Sequence, residues 1–493
     1  MRTIKYFILL GAVGMLTMFT ACEKKLDKDP ELYIDYDQVY TSEEGVKLAL
    51  DGAYDILASE NLFAGTSIFQ SDLLAANSST YLRWDGTFVG WRNMYRKMLN
   101  PNEGTIAFKW NDAYEAINIC NNVLANLDII SDADEQDRVE GEARFIRGIL
   151  YFELVRFYAQ PYGYTAGNTH LGVPVVLDPV QVYDDITKPA RATVGAVYTQ
   201  IESDLLAAEG LLLPGRAGAN RGLATSTNAS AFLARVFLSK KDWTGAATKA
   251  TIVIDEFGED ALNVTPRACF NNPGYTSEDV FMIRQNLYSN AGQSNDGIGT
   301  FFASMPGYGR GDVRIQAGQL ALFEASDLRG GLEDNPEAKV INEISKMYYV
   351  GYGTRAGLTR TTKWGRYDAN INVIRLAEMY LTRAEANFMA GGAPIGDSPL
   401  NDLNKIRARA KASLIVGAGD IDLDLIKLDR YKELCFEGHA LHDLKRWEGS
   451  VVAPSGSAYA GETIQWDDNR MVYPIPQRER NVNENLVQNP GYN

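Results

Sequence analysis

Residues 106–157 read IAFKWNDAYEAINICNNVLANLDIISDADEQDRVEGEARFIRGILYFELVRF. Ile106, Trp110, Ala113, Ile117, Cys120, Leu124 and Leu127 advance by steps of four and three, which is one face of an α-helix. Val139, Ala143, Ile146, Leu150, Leu154 and Phe157 advance in the same way. Two such faces in succession bury each other, so the stretch predicts a packed helix pair. Downstream, Val194, Val197, Ile201, Leu205, Ala208 and Leu212 form a further face, with Thr193 as N-cap and Pro214-Gly215 as the stop. Residues 229–238 and 243–257 predict a short pair turned at Lys240-Lys241-Asp242, with Ala231, Ala234, Ala246, Ala247 and Ala250 at the crossing. Another pair is predicted over 372–389 and 399–411, with Ser398 as cap and Pro399 at the first helical position. Residues 424–447 predict one more helix, bent at Gly438.

No strict period is present, although the Trp243 region loosely echoes the 34-residue tetratricopeptide unit. The expected fold is therefore mostly α: an irregular helical-repeat, tetratricopeptide-like scaffold carrying a loop-rich part with small strands. The helix pairs fall mainly in 102–257 and 372–447. The loop-rich parts are 61–101, 258–370 and 449–493. Between 290 and 366 there are 13 glycines in 77 residues, and strand-like runs occur at Val280–Arg284 and Lys346–Tyr352. Long irregular insertions on a rigid frame are where binding surfaces are usually built.

The 493 residues are 45% hydrophobic and 23% charged, ordinary usage for a globular chain. Lys plus Arg number 48 against 63 for Asp plus Glu, a net charge of −15. An acidic chain without a basic block argues against nucleic acid as partner, and against electrostatic docking on anionic lipid. At the amino end, Arg2 and Lys5 precede an uncharged run from Tyr6 to Ala21. That run is too short for a comfortable membrane span and right for a signal peptide. It leads into Phe19-Thr20-Ala21-Cys22, which resembles a bacterial lipobox. Residues 1–21 are thus expected to be a lipoprotein signal, with Cys22 lipidated and 22–493 a single body. An ordinary cleaved signal near a free cysteine is the alternative. Several acyl chains would anchor stably where one binds only reversibly.

Enzyme signatures are missing: there is no GxSxG, HExxH, P-loop or CxxC pair. Cys120, Cys269 and Cys435 are too widely spaced for a metal or redox pair, and Cys120 and Cys435, among apolar helix positions, are expected as buried thiols. His439 and His442 lie three apart and could face a metal, but they read better as structural. Asp184-Asp185 and Asp467-Asp468 are adjacent pairs, unlike the cross-cleft carboxylates of glycosidases. Arg310-Gly311-Asp312 carries little information as a tripeptide. No metal site, no cofactor and no catalytic residue are expected.

Several strings together resemble one family. They begin with Ala49-Leu50-Asp51-Gly52-Ala53-Tyr54, Tyr114-Glu115-Ala116-Ile117-Asn118 and Glu142-Ala143-Arg144-Phe145-Ile146-Arg147. Asp327-Leu328-Arg329 and Ile374-Arg375-Leu376-Ala377-Glu378-Met379-Tyr380-Leu381 follow. Asn404-x-x-Arg407-x-Arg409 and Glu433-Leu434-x-Phe436-Glu437-Gly438-His439 come next, before Asp443-Leu444-x-Arg446-Trp447 and Asn489-Pro490-Gly491-Tyr492. In this order they resemble the SusD/RagB family of outer-membrane lipoproteins. The resemblance implies four tetratricopeptide-like pairs bearing an irregular ligand-binding part. It implies a surface-facing, lipid-anchored lid on a TonB-dependent (SusC-like) outer-membrane transporter. It also implies capture of oligosaccharide or polysaccharide, or in some branches peptide, without catalysis.

Sugars present an apolar C–H face, which Trp and Tyr can cover, and a hydroxyl rim for Asn, Asp, Gln and Arg. The stretch 77–93 interleaves both kinds of residue, and related members place binding aromatics in a comparable loop. Tyr81 and Trp84 are expected as platform, Trp91 as a further candidate, and Asn77, Arg83 and Asp85 as the rim. Packing of Trp84 and Trp91 as core is the alternative. Tyr288, Asn290, Tyr308 and Arg310 form a second candidate group; a plain flexible loop is the competing reading there. Trp110, Trp243, Trp364 and Trp447 read as core.

Overall fold

The computed structural model describes residues 39–181, 186–215, 222–334, 340–352 and 355–492. The expected signal peptide, Cys22 and the Asp184-Asp185 pair lie outside the described residues. The chain is mostly helical with small sheets. Helices α1 (Glu43–Leu57), α2 (Thr66–Ala75), α3 (Val89–Tyr95), α4 (Gly104–Ala125), α5 (Ala133–Tyr158), α6 (Val194–Leu211), α7 (Ser226–Lys240) and α8 (Trp243–Phe257) fill the first half. A short α9 (Ile298–Phe302) lies in the irregular part. Then come α10 (Leu376–Ala390), α11 (Pro399–Arg409), α12 (Leu423–Leu434), α13 (Ala440–Arg446) and α14 (Gln477–Val482). The small sheets use β1 (Leu82–Trp84), β2 (Asp279–Ile283), β3 (Val313–Ile315), β4 (Leu332–Glu333), β5 (Tyr348–Val350), β6 (Thr359–Thr361), β7 (Ile371–Arg375), β8 (Ser450–Val452) and β9 (Thr463–Gln465).

Successive helices pack on one another: α4 on α5, α5 on α6, α6 on α7 and α7 on α8. Helix α10 then packs on α8, so the stack continues after the irregular segment that separates them in sequence. The expected caps form. Thr193 and Ser398 accept from the backbone N–H groups of Ala196 and Asn401, satisfying donors that a helix start leaves free.

Three elements differ from expectation. The 372–389 stretch begins as strand: Ile371–Arg375 pairs antiparallel with β2, and the helix starts only at Leu376. Residues 424–447 form two helices, not one bent helix, because Phe436 and Gly438 adopt φ of 66° and 83° between α12 and α13. The loop-rich 61–101 contains α2, all ten of whose residues are buried.

Several of the strings that carry the resemblance hold members of buried ion pairs. Buried Arg375 donates to Glu278 and Glu437 at 2.6 and 2.7 Å. Arg409 reaches Glu278 and Glu433, and Arg329 bonds Asp327 and Asp429. Lys363 donates to Glu437 and to the carbonyls of Glu433 and Cys435. Burial alone would raise the Glu433 carboxyl, but the Arg409, Arg375 and Arg329 guanidiniums outweigh it and hold it at about 2. Cys120, Cys269 and Cys435 are all buried and unpaired.

Candidate functional site

Strands β1 and β3 join two segments that are more than 200 residues apart. They pair antiparallel with Leu82 opposite Ile315, Arg83 opposite Arg314 and Trp84 opposite Val313. Side chains alternate across a strand, so Leu82, Trp84, Val313 and Ile315 face the core while Arg83 and Arg314 face outward. Two arginines directly opposite each other would repel. Asp85 relieves this, pairing with Arg83 Nε at 3.0 Å and Arg314 Nε at 2.9 Å.

A second carboxylate repeats the device. Buried Asp312 accepts from Arg310 Nε and from Arg355 Nη1, both at 2.7 Å. The Arg-Gly-Asp tripeptide is thus an internal brace. The Arg310 guanidinium also lies 4.8 Å from the Phe88 ring centre and 5.5 Å from that of Phe301, and it donates to Asn295. Phe88 is 42% exposed. The result is a ridge with one exposed ring, four guanidiniums and two carboxylates, locally cationic on an acidic chain.

The predicted platform residues are not on this surface. Tyr81, Trp84 and Trp91 are all buried, and the expectation that they form an exposed stacking platform is corrected. Trp84 packs on Phe69 and Phe301 at 5.6 and 5.8 Å. Trp91 packs on the same two rings at 5.4 and 5.6 Å and donates to Asp296. Tyr81 stacks on Phe436 at 4.8 Å, donates to Asp72 at 2.7 Å and accepts from the Phe436 N–H. Burial raises the Asp72 carboxyl to about 7. These three rings anchor the loop; the physical reason is the inward face of β1 and the packing of α3.

The remaining predicted residues divide. Arg83 is exposed on the ridge, and Asp85 and Arg310 are part of it. Asn77 shapes a turn, accepting from the N–H groups of Ser79 and Thr80 and donating to Thr80 Oγ1. Tyr288 is 94% exposed on a turn built by Asn286 and Asn290, which bond local backbone groups. Tyr308 is half-buried; its hydroxyl donates to the Gly292 carbonyl, and its ring meets Tyr367 edge-on at 5.6 Å. Phe88, Asn295, Arg314 and Arg355 were missed. Phe88 lay within the 77–93 stretch without being singled out, and of the other three only Arg314 had a signal: the alternation Val313-Arg314-Ile315 reads as a half-buried strand.

Beside the inner end of β1 lies an apolar cavity of about 450 Å3, bordered by Asn77, Tyr81, Tyr431, His439 and Trp447. Trp447 is half-buried here, unlike the core role expected of it. His439 and His442 are half-buried, and desolvation together with nearby arginines pushes both well below the usual imidazole range. Among the described residues, no three or more His, Cys, Asp or Glu side chains gather as a metal site, and no helix is long and apolar enough to cross a membrane.

Two family models match the chain. One, described as the SusD family, matches residues 303–492; the other, described as starch-binding associating with outer membrane, matches 25–238. SusD-like protein P2 of Formosa agariphila is 24% identical over 527 aligned positions, covering 97% of this chain and 98% of its own. The starch-binding protein SusD of Bacteroides thetaiotaomicron is 35% identical over 200 positions, covering 34% of this chain and 35% of its own. A SusD superfamily protein from the latter organism superposes with a TM-score of 0.76 at 23% identity, over 91% of this chain and 100% of its own. A laminarin-binding SusD-like protein superposes with a TM-score of 0.69 at 22% identity, over 92% and 100%. The two models together cover residues 25–238 and 303–492, well over half of the sequence, and the chain belongs to the SusD/RagB family.

Proposed function

We propose that the protein is a non-catalytic, lipid-anchored outer-membrane protein that binds glycans at the cell surface and delivers them to a partner TonB-dependent transporter. The observation that carries the binding role is the β1–β3 ridge. An exposed Phe88 ring stands beside the Arg83–Asp85–Arg314 and Arg310–Asn295–Asp312 groups. A ring offers a face for sugar C–H groups, and fixed guanidiniums and carboxylates offer donors and acceptors for hydroxyls. Tyr288, Asn290 and Tyr308 lie in the irregular segment that also carries Arg310, and they are further candidate contacts for the ligand. The relatives named for starch and laminarin support a carbohydrate ligand. The Phe19-Thr20-Ala21-Cys22 sequence supports the anchor, and the family description supports the outer membrane.

The test is calorimetric titration against starch, laminarin and other polysaccharides, with mixed peptides alongside. Binding of at least one glycan is expected, and Phe88→Ala weakens it by about 1–3 kcal/mol, as an exposed hot-spot ring does. Binding of peptides alone, or release of reducing sugar from the ligand, overturns the reading.

A further inference from the structure

The ridge of β1 and β3 does not show its two kinds of charge equally to solvent. The Arg83 side chain is 46% exposed, and those of Arg310, Arg314 and Arg355 are 28, 29 and 21% exposed. The carboxylates lie beneath them, Asp85 at 15% and Asp312 at 3%. Among the described residues these four arginines pair with no other carboxylate. The two braces are also joined, because the Asp85 N–H donates to the Asp312 carbonyl at 2.7 Å. One continuous surface therefore sets four accessible guanidiniums over two recessed anions, in a chain whose net charge is −15.

A fifth cation stands behind them. Arg360 is buried and donates to the carbonyls of Val313 and Arg355, which bind its N–H groups without neutralising the charge. Desolvation, with the Arg355 and Arg314 charges adding to it, pushes this guanidinium down to about 10. The chemistry offered outward is one-sided. A neutral sugar hydroxyl both donates and accepts, so it needs acceptors as well as donors. Here solvent meets N–H groups, while the acceptors are engaged below. An ionised carboxylate or a sulfate ester only accepts, and a planar guanidinium meets such a group with charge-assisted, bidentate hydrogen bonds. The Phe88 ring, 4.8 Å from the Arg310 guanidinium, places an apolar face for the sugar that bears the group. The acidity of the whole chain opposes such a ligand only at long range, because salt screens exposed charges beyond about 8 Å.

We propose that the ridge selects acidic glycans, gripping a sulfate or uronate substituent with Arg83, Arg310, Arg314 and Arg355 while Phe88 covers an adjoining sugar face. This rests on the ridge being the glycan site and adds the class of glycan it takes.

The experiment titrates the full-length protein, in non-ionic detergent, with probes paired by backbone. Laminarin sulfate is set against laminarin, and polygalacturonate against its methyl ester. At least one charged probe should bind on the order of tenfold tighter than its uncharged partner, the gain expected of a hydrogen bond to a charged group. Raising sodium chloride from about 50 to about 200 mM should narrow that gap. The pair with the wider gap identifies the substituent as sulfate or carboxylate. Arg83→Gln should narrow the gap, and Arg83→Gln with Arg314→Gln should narrow it further. Arg83→Lys, which keeps the charge but loses the fork, should fall between Arg83→Gln and the parent. Lys411→Gln, at an exposed position just after α11, should leave the gap intact. Arg83→Gln should melt no lower than the parent, because it removes one of two opposed charges; should the double variant fail to fold, the two single Arg83 variants decide. Equal affinities within both pairs, or a gap that the Arg83 variants retain in full, overturn the selectivity and leave glycan binding standing. Failure of every glycan to bind, charged or uncharged, overturns the proposed function and the selectivity with it.

Discussion

Trp84 faces inward because Leu82 and Trp84 share the core side of a three-residue strand; Phe88, four positions later, precedes α3 and stays in solvent. Their substitution should separate cleanly. Trp84→Ala removes a buried indole between Phe69 and Phe301 and should destabilise the fold by about 3–5 kcal/mol, read as a lowered denaturant midpoint. Phe88→Ala should leave that midpoint unchanged while glycan affinity falls. Both residues lie in one stretch that was legible as a candidate site, but a strand of three residues is too short for its period to show which ring is buried. Asn77 illustrates the same limit: an amide suited to a sugar rim is equally suited to closing its own turn.

At the scale of the element, long amphipathic helices were read almost to the residue. The expected 243–257 matches α8, and 194–212 overruns α6 by one position. Where reading failed, a signal was missing or misleading. Helix α2 is buried on every side, so it has no polar face to reveal a period. The strand β7 is continuous with α10 in hydrophobicity, and its pairing with β2 depends on residues nearly 100 positions away. The break between α12 and α13 turns on Gly438, whose φ is 83° and whose missing Cβ would stand 2.9 Å from the Ile68 backbone. Gly438→Ala should therefore destabilise the protein by more than 1 kcal/mol and lower its melting temperature. An unchanged melting curve would mean the break is not fixed by this glycine.

Across the whole molecule, the family strings were legible as a signature, whereas the pairing of their charges was not. Arg375 finds Glu278, Glu433 and Glu437 only after the chain has folded. Removing one member of such a buried cluster strands the others, so Arg375→Met should cost about 3–5 kcal/mol in chemical denaturation. The cluster also sets acid sensitivity. The folded Glu433 carboxyl sits at about 2, below its unfolded value near 4.3. Its contribution is fully present above about 4.5 and is lost as the pH falls toward 2. Stability measured across that window should fall steeply in the parent and less steeply in Glu433→Gln.

The Asp312 and Asp85 braces have a consequence for recognition. Arg310, Arg314 and Arg355 are already held in place before any cargo arrives, so little side-chain freedom remains to be surrendered on encounter. Such a surface can grip through few contacts. Its selectivity would then come from how closely the cargo's contour follows an immobile template.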